Sequence, residues 1–211
     1  MNPGYLSLLF LVVSLILFAS GWTDYLMRGI TSKVILLFFV SWLVTMEIVI
    51  TLPHVRIGLW TIVLAVLIVA VLWRSHGLMY KLHVLSVGIL LGSVSFFLQE
   101  TIHLFPSMVL GSVELSMALL IGFLISSLIK VPAVQLAAVS LGLLLGEAYF
   151  RFLHKGQIEF QLGTTMLQDR WWLTVYVMRG MSLLLSGMLL MSKKSVNWIV
   201  AGVRKMVRYR D

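Results

Sequence analysis

The chain of 211 residues contains no cysteine, and only 11% of its residues are charged. The missing cysteines exclude disulfide bonds, thiolate metal sites and catalysis by a thiol. A soluble domain carries about 25% charged residues. With 60% hydrophobic residues as well, this chain cannot bury its apolar surface as a water-soluble globular protein.

Enzyme signatures are also missing. The sequence has no HExxH, G-x-S-x-G or Walker A motif, so it lacks the usual marks of metalloproteases, serine hydrolases and nucleotide-hydrolysing enzymes. It shows no paired aspartates of the kind that bind magnesium and diphosphate in lipid transferases. We therefore expect no cofactor, no metal and no catalytic residue.

The formal net charge is +8, from 16 Lys and Arg against 8 Asp and Glu. A basic chain can bind nucleic acid, but here the cations lie in short connections and in the C-terminal tail. Cations at such positions usually fix the orientation of a membrane protein. The charge pattern therefore argues against nucleic acid and favours the lipid bilayer as the main partner.

Long apolar stretches dominate the sequence. About seven of them approach the ~20 residues that a helix needs to cross ~30 Å of hydrocarbon. They cover 5–22, 34–52, 57–73, 82–98, 107–129, 132–150 and 173–191. We predict an all-α bundle of about seven transmembrane helices in one domain, residues 1–191. The tail, 192–211, is predicted to form a basic amphipathic helix on anionic lipid.

The distribution of cations predicts the orientation. If the N-terminus is outside, the inner segments hold most of the lysines and arginines, including Arg28, Lys33, Arg74, Lys81, Lys130 and those of the tail. The outer segments keep Arg56, Arg151, Lys155 and Arg170, the last three of them in the loop at 151–172. The positive-inside rule therefore favours an outside N-terminus and an inside C-terminus, in a multi-pass protein of the cell (inner or plasma) membrane.

Four ionisable residues lie within the predicted spans: Glu47, Glu114, Glu147 and Arg179. An ionisable group in hydrocarbon costs roughly 2.5–3.5 kcal/mol on insertion scales, so each needs a partner or a water path. At 1.5 Å per residue, alternating spans bring all four to one half of the membrane. Glu100 and His103 would stand at the mouth of a vestibule above them.

This charge cluster has two interpretations. In the favoured one, Arg179 pairs with a glutamate and clamps two helices together, because buried ion pairs also serve packing specificity. In the other, the glutamates line a pathway for protons, cations or a ligand.

Several smaller patterns predict packing. Gly88 and Gly92, like Gly142 and Gly146, are spaced as GxxxG, which allows close helix contact within the chain or in a homo-oligomer. Gln99 and Gln135 are expected to hydrogen-bond between helices.

Two further patterns concern the membrane surface. Residues 157–162 alternate polar and apolar, which predicts a strand in an outer flap over the bundle. The tryptophans near span ends predict an interfacial aromatic belt; they are Trp22, Trp60, Trp73, Trp171 and Trp172.

The strings Leu144-Leu145-Gly146-Glu147 and Leu162-Gly163, with Asp169 before the last span, resemble the YphA-like family of small bacterial integral membrane proteins. The resemblance implies an integral membrane protein in a bacterium. Since that family has no established activity, it implies no site residues.

The most favoured function is a non-enzymatic membrane scaffold, or a membrane-protein partner of an envelope assembly. The first alternative is a small proton- or cation-coupled transporter or channel subunit that uses the intramembrane glutamates. The second is an intramembrane hydrolase, because Glu147 and His154 are near one another in the sequence.

Overall fold

The computed structural model describes residues 3–22, 31–53, 55–75, 77–101, 111–154 and 160–208, with side chains described as far as Ser192. The described residues form seven helices: α1 (Tyr5–Ala19), α2 (Ser32–Thr45), α3 (Trp60–Arg74), α4 (Leu78–Thr101), α5 (Val113–Leu128), α6 (Pro132–Leu153) and α7 (Thr165–Arg208). They also form three strands: β1 (Val49–Leu52), β2 (Val55–Gly58) and β3 (Phe160–Leu162).

Three helices are long and apolar enough to cross a membrane: α4, α6 and the part of α7 from Thr165 to Ser192. The other four are apolar but have only 14 to 16 residues. At 1.5 Å per residue they measure roughly 21–24 Å. The predominantly helical class and the presence of helices long and apolar enough to span a membrane are thus confirmed, whereas seven crossings stay a prediction.

The end of the predicted span 34–52 and the start of the predicted span 57–73 are wrong, because both are strands. Helix α2 ends at Thr45, and the chain then forms an antiparallel β1–β2 hairpin in which Val49 faces Gly58. The β-branched side chains of VITL and VRIG suit extended backbone, and Pro53 cannot donate to a ladder or continue a helix. Hydropathy alone does not separate such a strand from the end of an apolar helix.

Strand β3 pairs in parallel with β2, so the sheet has the order β1-β2-β3. The strand predicted at 157–162 is therefore confirmed for Phe160–Leu162, while 155–159 lie outside the described residues. Both ends of the predicted outer loop are helical: α6 runs on to Leu153, and α7 begins at Thr165 rather than near 173.

The two glycine pairs face each other where α4 packs along α6. These helices run parallel, because Gly88 lies beside Leu141 and Gly146 lies beside Ser95. A Cβ atom on Gly142 would lie 2.6 Å from the Cβ of Leu91 and 3.2 Å from the Gly88 carbonyl oxygen. Both GxxxG motifs are thus used within the chain, to bring two backbones close together.

Helix α7 packs in parallel with α5 and with α1. Gly122 of α5 lies against the backbone of Met178, whose carbonyl accepts a hydrogen bond from the Ser126 hydroxyl at 3.0 Å. On the other side, Phe10 of α1 stacks on Tyr176 at 4.4 Å between ring centroids. The long last helix is therefore the element against which both shorter helices pack.

Most of the tryptophans predicted for an interfacial belt lie in the core. Trp60, Trp171 and Trp172 are 0%, 2% and 3% exposed, and they surround a fourth, Trp42, at centroid distances of 4.9–5.4 Å. Two indole N–H groups find internal acceptors: Trp60 donates to the Gly163 carbonyl and Trp171 to the Ser140 hydroxyl. Only Trp22 and Trp73, at 57% and 84% exposed, fit the predicted belt.

Gly142→Ala should destabilise the protein, because the new methyl group would have to displace the α4 backbone or Leu91. We expect its melting temperature in detergent to fall by at least about 3 °C, corresponding to roughly 1–3 kcal/mol. Gly180→Ala on α7 is the matched control, since its added Cβ would meet nothing within 4 Å. Equal melting temperatures for the two variants would contradict this packing.

Candidate functional site

One end of the bundle carries the sheet, and we call it the sheet end. The end of α2, the start of α3 and the start of α7 adjoin the strands in the chain, and α6 packs against β3 there. The end of α4 and the starts of α1 and α5 join them through the polar contacts described below. The described carboxylates all lie at this end: Glu47, Glu100, Glu114, Glu147 and Asp169.

Glu147 is at the centre of the site. It is 4% exposed and lies on α6 between two arginines. The Arg151 Nε donates a hydrogen bond to its Oε1 at 2.9 Å, one turn along the same helix. A nitrogen of Arg170, on α7, lies 3.8 Å from its Oε2. One carboxylate thus compensates two guanidinium groups and joins α6 to α7.

Two more acidic residues complete the cluster. Glu114, in the first turn of α5, is close enough to Arg170 to interact with it electrostatically. The partial positive charge of a helix N-terminus also stabilises it there. Glu100, in the last turn of α4, lies 3.6 Å from Nδ1 of His154. Four helices, α4 to α7, therefore contribute ionisable groups to one end.

Arg179 does not belong to this cluster, so the prediction that it pairs with a glutamate is wrong. Its guanidinium donates a hydrogen bond to Oε1 of Gln135 at 3.0 Å, near the start of α6. Twelve residues separate Gln135 from Glu147, roughly 18 Å along that helix. The physical reason is the early start of α7, which carries Arg179 about 21 Å from its first residue.

Gln135 makes the interhelical contact that was predicted for it. Besides accepting from Arg179, its amide nitrogen donates to the Ile129 carbonyl and to the Ser182 hydroxyl. Gln99 instead donates within its own helix, to the Ser95 carbonyl.

Glu47 is at the correct end but is not buried in a span. It lies in the turn after α2 and is exposed, because the chain leaves the helix two residues earlier. Water or lipid headgroups can therefore solvate it without an ionic partner. His103, predicted beside Glu100 at a vestibule mouth, lies outside the described residues.

The cations of the cluster, and the capping role of Asp169, are not among the sequence predictions. Arg151 and Arg170 were assigned to an outer loop, because hydropathy separates polar residues from an apolar span. Here the polar run Gln168-Asp169-Arg170 is inside α7, since each member finds a partner on another element. Gln168 donates to the Met46 carbonyl at 2.9 Å. The adjacent Asp-Arg pair just before Trp171 was the signal available in the sequence.

Asp169 caps a different helix. Its two oxygens accept hydrogen bonds from the backbone N–H groups of Gly4 and Ser7, each at 2.7 Å. Gly4 is the N-cap residue of α1 and has no side chain to accept the bond that a serine or aspartate would accept there. A carboxylate from α7 supplies that acceptor, and it is also favoured by the dipole of α1.

The chemistry of the site is therefore that of ion pairs and helix caps. In the part of the chain that the structure describes, no three histidine or acidic side chains gather as metal ligands would. His154 faces Glu100 rather than Glu147, so the acid–histidine pair considered for a hydrolase does not form. Comparison of the chain with protein-family models, curated proteins and solved structures finds no match.

Glu147→Gln should destabilise the fold strongly, because it leaves Arg151 and Arg170 without their shared counter-charge. We expect a loss of about 2–3 kcal/mol, below the 3–5 kcal/mol of a fully buried pair because both arginines retain some exposure. The measurement is thermal unfolding in detergent by circular dichroism. Combining Glu147→Gln with Arg170→Gln should recover part of the loss, whereas additive losses would contradict the pair.

Glu47→Gln is the matched control for that cycle. It makes the same chemical change on an exposed carboxylate at the same end, so its effect should stay within about 0.5 kcal/mol. If it destabilised the protein as much as Glu147→Gln, the loss would reflect net charge rather than the contacts of Glu147.

Asp169→Ala should loosen the start of α1, because the Gly4 and Ser7 N–H groups lose their acceptor. The expected cost is about 1–2 kcal/mol, as for loss of a good N-cap. Hydrogen exchange read by mass spectrometry should show faster exchange in the peptide that contains Tyr5 to Leu11, and little change in α4. Unchanged exchange in α1 would show that another group caps this helix.

Proposed function

We propose that the chain is a non-catalytic scaffold of the bacterial cell membrane and a partner of an envelope assembly. It would cross the membrane seven times, with its N-terminus outside and its C-terminal end inside. The observation that supports this role best is the state of Glu147. Glu147 is the buried carboxylate among the described residues, and it forms ion pairs with two arginines of the same chain.

Seven crossings are supported by the surface of the shorter helices. Large apolar side chains are exposed on them, including Ile16 of α1 at 61%, Leu37 of α2 at 65% and Val66 of α3 at 62%. Such surfaces are unfavourable in water and favourable in hydrocarbon. Helices of 14 to 16 residues could complete a crossing with their flanking segments or with local thinning of the bilayer.

The main rival is a transporter or channel subunit, and the contacts of the glutamates make it less favourable. A coupling carboxylate needs a water path and must gain and lose a proton or cation. Glu147 is instead held by two guanidinium groups. The two cavities described in the next subsection have predominantly apolar walls, and neither is bordered by a carboxylate.

Membership of the YphA-like family is part of the proposal. The residues on which that resemblance rests make structural contacts: Gly146 packs against Ser95, Gly163 accepts the Trp60 hydrogen bond, and Asp169 caps α1. These are contacts that position helices. A homo-oligomer or another membrane protein would then use the exposed apolar surface, and anionic lipid would bind the basic tail.

A transporter or channel subunit would move ions across the membrane, whereas a scaffold would not. Purified protein should be reconstituted into liposomes with a trapped pH-sensitive dye, under proton, sodium and potassium gradients. We expect the gradients to decay at the rate of protein-free liposomes, with the same result for Glu114→Gln. A flux that Glu114→Gln abolishes, in a variant that melts at the wild-type temperature, would overturn the proposal.

The scaffold role itself is tested by photo-crosslinking in cells. A crosslinking residue at Leu184, which is 62% exposed on α7, should give one discrete adduct with a membrane protein or a second copy. The same residue at the buried Met178 is the control and should give none. If neither Leu184 nor other exposed positions on α7 give an adduct, this face does not bind a partner.

A further inference from the structure

A large cavity lies between α2, α3 and α6. Its volume is about 660 Å³, within the 300–1,000 Å³ typical of ligand sites. Most of its wall is aliphatic, with Leu37 of α2, Val66 of α3 and Val134 of α6 among the contributors. Because Leu37 and Val66 are more than half exposed, the cavity opens sideways to the surroundings of the bundle, where the acyl chains of a bilayer would be.

One end of this cavity is polar. Thr31, Arg74, Ser75 and Tyr80 line it, and all four lie at helix ends remote from the sheet. Arg74 is the last residue of α3, Thr31 is the N-cap of α2, and Tyr80 is in the first turn of α4. The cavity therefore has hydroxyl groups and a guanidinium at one end, and its remaining wall is apolar except for Ser41 of α2.

The charge around the polar end is positive. Lys33, Lys81 and Lys130 lie at the same ends of α2, α4 and the α5–α6 connection as Arg74 does. All described carboxylates are at the sheet end, which is the opposite end of the helices from Arg74. Among the described residues, nothing acidic competes for Arg74. The polar end is therefore complementary to an anion, and the apolar remainder is complementary to a hydrocarbon chain.

We propose that this cavity binds one phospholipid of the bilayer that has an anionic headgroup. Its phosphate is held by Arg74, with the hydroxyl of Tyr80 as a further donor. One acyl chain lies between α2 and α3 and ends against Phe38 and Leu67, which also border a second cavity of about 130 Å³. This lipid is distinct from any lipid bound by the C-terminal tail, whose side chains lie beyond Ser192.

The choice of a phospholipid follows from the two parts of the cavity, which has a cation at one end and a mainly apolar wall along the rest. A peptide or a partner helix would leave the guanidinium without a counter-charge unless it placed an acidic residue there, whereas an anionic phospholipid brings both parts at the correct spacing. A guanidinium binds phosphate through paired N–H groups. Its position at a helix end agrees with the level at which headgroups contact membrane proteins.

The proposal is tested by native mass spectrometry of the full chain released from nanodiscs of equal phosphatidylglycerol and phosphatidylcholine. We expect one retained phosphatidylglycerol per chain. Arg74→Gln should retain at least about fivefold less, the effect of one cation near a lipid headgroup, while Arg74→Lys should keep most of the binding. Equal retention of phosphatidylcholine, or no effect of Arg74→Gln, would overturn the proposal.

The apolar part is tested by filling the cavity. Ala70 lines it and Ala65 does not, although both are exposed on α3. Ala70→Trp should remove the bound lipid, and Ala65→Trp should retain it. If both variants behave alike, the lipid does not lie in this cavity.

A melting assay distinguishes binding of the whole lipid from binding of its headgroup alone. Phosphatidylglycerol added to delipidated protein should raise the melting temperature, because a ligand that binds only the folded state stabilises it. Glycerol phosphate at the same concentration should not. Stabilisation by glycerol phosphate, or a second copy of the chain in place of the lipid mass, would refute a bound phospholipid.

Discussion

A buried carboxylate must be compensated within the bundle, and this constraint organises the sheet end. Glu147 can lie at 4% exposure because Arg151 and Arg170 both reach its carboxylate. Arg170 in turn interacts electrostatically with Glu114 of α5. The requirement for neutrality therefore adds to apolar packing in fixing which helix ends meet.

The polar contacts of α7 show how the same requirement extends a helix. Gln168, Asp169 and Arg170 would interrupt an apolar span if they faced lipid. Each instead satisfies another element: a carbonyl after α2, the first turn of α1, and the Glu147 carboxylate. An N-cap residue usually supplies its own acceptor; here Gly4 is the N-cap of α1 and Asp169 of α7 supplies the acceptor. The start of α7 is therefore stabilised by the elements that it holds in place.

The opposite end of the molecule has a different character. Its described Lys and Arg side chains have no described carboxylate beside them, and its large cavity is walled in part by side chains exposed on the surface of the bundle. Arg179 illustrates the contrast with Glu147: it is buried near this end, and its hydrogen-bond partner is the neutral amide of Gln135. The two ends therefore differ in the sign of their charge: every described carboxylate lies at the sheet end, and a cation borders the large cavity at the other.

The sequence by itself determined the helical class, the membrane-compatible apolar helices, the close-packing glycines and the interhelical role of Gln135, because composition and spacing express these directly. Glu114 and Glu147 were also placed at one end from alternation of direction alone. The tertiary structure decided the rest. Hydropathy reports how costly a residue is to bury but not whether a partner removes that cost, so it missed the early start of α7, the buried tryptophans and the pairing of Glu147 with Arg170. It also could not tell β1 from the end of a helix, because an apolar segment satisfies its backbone in either form and only the neighbouring strands decide which.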